Sequence, residues 1–409
     1  MALSHSSSIV TNGLIFYYDM NNSQKSWKGM PVTNQYSVPT PDGSGNVSFP
    51  INGTGIFQRI YSGVYGGYTI KPTDVVYKYV LGLAPTGCHY HGNTISILAG
   101  QSATWGFDFY IDPTTTGYPV TNYLCNFESS IGIGGSTSDP TPSNVGVWKR
   151  STVTSSPASS SGTFNAYLYP GACGTQLATG GFILYKNPQV EINTFATPFV
   201  NGIRSNTQAI VDLTGNNTIT ANSLTYASDN TFSLDYASSS HIIVPLSTGF
   251  NKVEGTINMW VYPTRYNGGN GYFVNREDSV ANAVDWLWIG PYSDTFYFRI
   301  GNGVDCCSND LSFSSVATVI PLNTWTNMCF TWKANSTSAI YKNGAVIASR
   351  SIGAIPSTNP APNGIIGLGH NNADNYFHGK MPTTQIYNRQ LSTTEVKQNF
   401  NALRGRYSI

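Results

Sequence analysis

From Phe232 to the C terminus, apolar residues recur at every second position in short runs: Phe232, Leu234 and Tyr236; Ile257, Met259 and Val261; Phe296, Phe298 and Ile300; Met328, Phe330 and Trp332. A period of two places one face of a β-strand on a core and turns the other outward, which a helix cannot do. Gly, Pro and Asn punctuate these runs and helical periodicity is nearly absent, so the expected fold class is all-β. Between TSAIYK and AVIASR sits Asn343-Gly344, whose tolerance of positive φ suits a two-residue type I′ hairpin.

One helix is expected near the end. Ser392 and Glu395 have the spacing of a capping box, and Leu391 with Val396 that of the surrounding hydrophobic staple. Val396, Phe400 and Leu403 then form one apolar stripe to lay on a sheet, and Gly405 suits the C-terminal cap.

Residues 45 to 200 are also β in pattern: NVSFPIN, DVVYKYVLGL, NTISILAG, ATWGFDFYID, VWKRSTVT, TFNAYLY and GFILYKNPQVEI. A chain of 409 residues exceeds one ordinary core, and two antiparallel β-sandwiches (jelly rolls) of roughly 170 to 220 residues each fit that length. The stretch from Ser129 to Ser161, rich in Gly, Ser, Thr and Pro, is expected to form long loops or turns.

Lys and Arg number 21 against 20 Asp and Glu, so no net field steers the chain toward phosphates, and nucleic acid is not an expected partner. No apolar run approaches the ~20 residues that span a bilayer, so membrane insertion is not expected. The opening MALSHSSSIVTNGLIFYYD lacks the marks of a secretory signal, which implies synthesis in a cytoplasm without export.

Free thiols are the matching expectation for the six cysteines, which show neither a C-x-x-C pair nor zinc-ribbon spacing. Cys88-His89-Tyr90-His91 has zinc-ligand residue types but no second ligand pair, so a plain loop or interface is expected. Cys306-Cys307 reads as two thiols near a subunit contact and Cys329 as a small core or interface residue.

The C-terminal region resembles laminin-G-like domains of the concanavalin A-like superfamily. The resemblance rests on Trp325, Trp332, Tyr341, Asn343, Gly344, Gly367, Gly379, Ile386, Tyr387, Asn388, Arg389, Leu391, Ser392 and Glu395. The opening IVTNGLIFYYDMNNSQKSWKG and the ending NFNALRGRYSI resemble the same domain in structural proteins of tailed bacteriophages. Trp148, Arg150, Gln189, Glu191, Ala196-Thr197-Pro198-Phe199 and Arg204 resemble a carbohydrate-binding-module-like sandwich of phage tail and fibre proteins.

These resemblances imply residues 1–30 as an N-terminal strand completing the C-terminal sandwich, 31–204 as an inserted carbohydrate-binding-module-like sandwich, and 205–409 as the concanavalin A-like sandwich with its short helix. Leu14, Phe16 and Tyr18 are then expected on the C-terminal sandwich. The family recognises glycans or proteins and has no single activity, so it implies only a class of function. A virion protein made in the host cytoplasm would need no signal peptide.

No catalytic residue is assigned. Glycosidases of this superfamily need two close carboxylates, and the five glutamates (Glu128, Glu191, Glu254, Glu277, Glu395) form no E-x-D-x-E motif. Glu277 and Asp278, being adjacent, would face opposite ways on a strand. Sugar rings stack on aromatic side chains flanked by amides and charges. Tyr266, Tyr272, Arg276, Asp285, Trp286, Trp288 and Tyr292, with Asn275, are accordingly the candidate glycan contacts; the competing reading buries Trp286 and Trp288 in a core or subunit interface. Asn371, Asp374 and Asn375 sit in an oxygen-rich stretch of the calcium-binding kind, but with one carboxylate a solvated turn is preferred and no cofactor beyond calcium is considered.

The expected function is that of a non-enzymatic phage virion protein, a fibre, tail-associated or capsid-attached appendage that binds host-surface glycans. Other virion proteins are its expected partners, and homo-oligomerisation suits many aromatics with little charge. The resemblance suggests a trimer. Alternatives are a decoration or cement protein with no glycan binding and a polysaccharide depolymerase.

Overall fold

The computed structural model describes residues 8–22, 25–37, 56–80, 91–114, 125–136, 145–168, 181–227, 232–234, 239–246, 249–266, 271–275, 286–305, 307–357, 361–369 and 376–409. The chain is nearly all-β, as expected, and divides into two compact units, residues 1–31 with 205–409 and residues 32–204.

The first unit contains a six-stranded and a seven-stranded sheet. The six-stranded sheet runs Leu14–Asp19, Gly379–Tyr387, Glu254–Pro263, Thr326–Lys333, Thr337–Lys342, Ala345–Ser351. The seven-stranded sheet runs Thr220–Asn222, His241–Pro245, Asn363–Ile366, Phe273–Asn275, Leu287–Tyr292, Thr295–Ile300, Leu311–Ser314. Side chains one face deep from both make a single core: Ile257, Met259, Met328, Phe330 and Trp332 from the first, Phe273, Leu287, Ile289, Phe296 and Phe298 from the second. This is the sandwich that the period-two runs require. Tyr236, the end of the first run, lies outside the described residues.

The N-terminal strand pairs antiparallel with Gly379–Tyr387, placing Leu14 opposite Tyr387, Phe16 opposite Ile386 and Tyr18 opposite Thr384. Phe16 and Tyr18 enter the core. Buried Asp212 ties the strand down: its Oδ1 accepts from the Tyr17 amide at 2.9 Å, and its Oδ2 from Thr214 Oγ1 at 2.7 Å and Asn217 Nδ2 at 2.8 Å. A buried carboxylate is tolerated because its lone pairs are used this fully.

The helix spans Thr393–Leu403 and covers the outward face of the six-stranded sheet, where Trp260 stacks on Phe400 and Tyr407. Its capping box is complete, and Leu391 and Val396 are buried together as the staple requires. Gly405 is not the cap, however. A 3₁₀ turn, Arg404–Tyr407, continues the helix through Gly405, and the left-handed residue that ends it is Ser408, φ 56°. The glycine signal marked the end of the α-helical pattern and could not show that a tighter turn follows. Asn343 and Gly344 have φ of 50° and 77°, as the I′ hairpin needs.

Among the described residues Cys329 is a buried free thiol, whereas Cys307 is disulfide-bonded, against the expectation of free thiols. Spacing along a chain does not show which sulfurs the fold brings together. Cys88, His89, Tyr90 and Cys306 lie outside the described residues. Among the described residues no helix is long and apolar enough to cross a membrane.

The second unit has a five-stranded sheet, Trp148–Thr154, Thr104–Ile111, Phe182–Glu191, Val76–Val80, Ile56–Ile60, and a four-stranded sheet, Gly135–Ser136, Cys125–Glu128, Gly162–Leu168, His91–Ile97. Trp105, Phe107, Phe109, Tyr79 and Tyr185 from the first meet Phe127, Phe164, Ile95 and Leu168 from the second in one core. Buried Gln189 and Glu191 knit the chain after the last long strand: Glu191 Oε1 accepts from the Thr197 amide at 3.0 Å, and Gln189 Oε1 from the Val200 amide at 2.6 Å.

Candidate functional site

In the strand Thr295–Ile300, Phe296, Phe298 and Ile300 face the core, so Tyr297 and Arg299 face outward. The neighbouring strand sets Trp288 opposite Arg299 and Gly290 opposite Tyr297. Gly290 places no side chain opposite Tyr297 on that strand, and Ser312 is its partner on the other side. Trp286, just before that strand, joins the same outward layer.

The layer is a stack of rings under one cation. Trp286 and Trp288 lie parallel at 5.9 Å, and Trp288 and Tyr297 stack at 6.1 Å. The Arg299 guanidinium sits 4.3 Å from the Tyr297 centroid, 5.2 Å from Trp288 and 5.9 Å from Trp286. Guanidinium over a ring face is favourable by about 0.5–2 kcal/mol, more where water is excluded. Arg299 Nε also faces Asp310 Oδ2 at 2.9 Å. Burial pushes the Asp310 carboxyl up to about 6, with Arg299 pulling the other way. Its second oxygen, Oδ1, is buried without a hydrogen bond. Val274, Leu368 and Tyr376 extend the layer.

The expected contacts separate. Tyr272 is fully buried on the core side, its ring held edge-on between Phe296 at 5.2 Å and Phe377 at 5.0 Å. It is a core residue, which corrects its place among the glycan contacts. Tyr266 packs on the same core and donates its hydroxyl to the Ile320 carbonyl. Trp286 and Trp288 are together in the outward layer but only 2% and 1% exposed. Tyr292, at the strand end, is 62% exposed. Asn275 is buried and donates to the Ala361 and Asn363 carbonyls. Arg276, Asp285, Asn371, Asp374 and Asn375 lie outside the described residues, as do Glu277 and Asp278.

The groups of the layer that reach solvent are Tyr297, Arg299 and Asp310, with the two indoles beneath as their support. Sequence reasoning missed all three. The signal was present for two of them: once Phe296, Phe298 and Ile300 are given to the core, Tyr297 and Arg299 must project with Trp288. Among the described residues no group of three or more His, Cys, Asp or Glu side chains could hold a metal ion.

Residues 235–397 match the Laminin_G_3 family, described as the concanavalin A-like lectin/glucanases superfamily, and this segment is a domain of that superfamily. The architecture is similar to the binding domain of Paraclostridial Mosquitocidal Protein 1, at 23% identity over 47% of this chain and 49% of that one, with a TM-score of 0.37. It is also similar to the binding domain of botulinum neurotoxin serotype G, at 19% identity over 47% and 48%, with a TM-score of 0.39. The match thus spans about half of each of those chains. No curated protein matches the sequence.

Proposed function

We propose that this chain is a non-enzymatic virion protein of a tailed bacteriophage, a fibre, tail-associated or capsid-attached appendage made in the host cytoplasm, which binds host-surface glycans through its lectin-like domain. The observation that carries the reading is the layer of Tyr297, Arg299 and Asp310 supported by the parallel Trp286 and Trp288. A solvent-reaching ring offers a stacking face for sugar C–H groups, and the guanidinium beside it, held by Asp310, offers donors for hydroxyls. Asp310 faces Arg299, not a second carboxylate, which favours holding a sugar over cleaving one.

The test is binding of the full chain to a glycan array, followed by titration of any hit against Tyr297→Ala and Arg299→Gln. Both variants are expected to weaken binding by at least about ten-fold, the range of one lost charge-assisted contact. Silence across the array, or hits indifferent to both substitutions, would sink the proposal. A decoration or cement role is the second reading, favoured by the edge strand Ala345–Ser351, on which Val346 and Ile347 are exposed.

A further inference from the structure

The five-stranded sheet of residues 32–204 also has an outward face, and it is built from unlike parts. Its register sets Trp148 opposite Tyr110 and Arg150 opposite Asp108 on one side, and Lys186 opposite Asp108 on the other. The Lys186 ammonium lies 3.6 Å from the Tyr68 ring centroid and 4.6 Å from that of Trp148, and Lys78 lies 4.1 Å from that of Phe182. Trp148, Tyr68 and Phe182 are each only half-buried, and Arg150 keeps 31% of its side-chain surface.

The charges on this face do not close on themselves. Asp108 is shared: Arg150 Nη1 stands 3.3 Å from one oxygen and Lys186 Nζ 3.9 Å from the other, which Asn187 Nδ2 approaches to 3.0 Å. A settled ion pair of this kind measures about 2.7–2.9 Å, so neither ion pair is tight, and Arg150 Nη1 divides itself between Asp108 and the Asn187 carbonyl at 3.2 Å. Another carboxylate, Asp74, accepts from the Tyr68 hydroxyl at 2.7 Å and from the Lys71 amide at 2.8 Å. Lys78, Arg150 and Lys186 therefore share this face with Asp74, Asp108 and, beside Tyr110, Asp112, in loose pairings among half-open rings. Burial lowers the Lys186 ammonium below its ordinary range, with Asp108 and Asp74 pulling the other way.

We propose that this face is a second binding site, for an acidic oligosaccharide, with a sugar ring stacked on Trp148 and its carboxylate taken by Arg150 and Lys186 in place of Asp108. A planar guanidinium suits a carboxylate, and rings flanking the cations suit the pyranose that carries it. The inference is independent of the layer around Arg299.

Calorimetric titration of the full chain with uronic-acid oligosaccharides (galacturonate, alginate and hyaluronan fragments), beside an uncharged gluco-oligosaccharide, tests it. At least one acidic ligand is expected to bind, and binding should weaken between about 50 mM and about 500 mM salt. Arg150→Gln and Trp148→Ala should each weaken it by about ten-fold or more. Asp108→Asn removes the competing carboxylate and should tighten it, a gain that a misfolded variant cannot imitate. Tyr297→Ala should leave it unchanged, which separates this site from the other. The inference is overturned if no acidic ligand binds, if the neutral ligand binds equally well, or if Arg150→Gln and Asp108→Asn both leave the affinity unaltered.

Discussion

Phe16→Ala tests how the two ends of the chain share one core. Phe16 is fully buried, meets Tyr18 edge-on at 5.9 Å and sits opposite Ile386. Truncating a buried phenylalanine costs about 3–5 kcal/mol through lost transfer energy and the cavity left behind. For a unit of this size, about 2–4 °C of melting temperature go with each kcal/mol, so the transition of residues 1–31 with 205–409 should fall by roughly 6–20 °C. Hydrogen exchange read by mass spectrometry assigns the effect to a segment. The amides of Gly379–Tyr387, which pair with the N-terminal strand, should lose protection, while those of Thr104–Ile111 in the other unit should keep theirs. Unchanged protection in Gly379–Tyr387, or loss confined to Thr104–Ile111, would refute the reasoning.

Four further substitutions probe the C-terminal region. Arg389, by hydrogen bonding, together with the Ser392 amide and hydroxyl that donate to Oε2, holds the Glu395 carboxyl down to about 2, below its ordinary value. A carboxyl depressed in the folded state stabilises above its unfolded pKa and loses that contribution as pH falls from about 4.5 toward 2. Ser392→Ala should cost about 1 kcal/mol in urea unfolding at neutral pH. Glu395→Gln should flatten the decline in stability over that acidic window, and an unchanged slope would rule the group out as its source. Gly379→Ala should be far more damaging, since a Cβ there would lie 2.0 Å from the Tyr262 carbonyl oxygen at φ +138°. A loss of about 1–3 kcal/mol or more in urea unfolding is expected. Gly405→Ala meets nothing within 4 Å and should be neutral or stabilising by up to about 1 kcal/mol.

What could be read from the sequence follows from the range of each signal. Strand alternation, the I′ turn and the capping box are set by neighbours a few residues apart, and Phe296, Phe330, Asn343 and Ser392 all stand where those local rules put them. The helix end failed because a 3₁₀ continuation through Gly405 depends on Tyr407 stacking on Trp260, a contact distant in sequence. Cys307 is a second case, since which sulfurs meet is decided by the fold.

The candidate sites illustrate the same division more sharply. Grouping Tyr266, Tyr272, Trp286 and Trp288 by nearness in sequence ignored the rule already applied to the core, that adjacent strands keep inward and outward sets apart. Applied to Thr295–Ile300, that rule takes Tyr272 away from the indoles and delivers Tyr297 and Arg299 to them. Asp310 was beyond its reach, since it meets Arg299 from outside any paired strand. The cradle of Trp148, Arg150, Lys186 and Tyr68 is drawn from three separate stretches of chain, brought together by two strand pairings and the turn-linked pair Gly63–Tyr65 and Tyr68–Ile70. A face composed across a sheet has no period of its own, so it becomes readable only when the register of every strand in it is known.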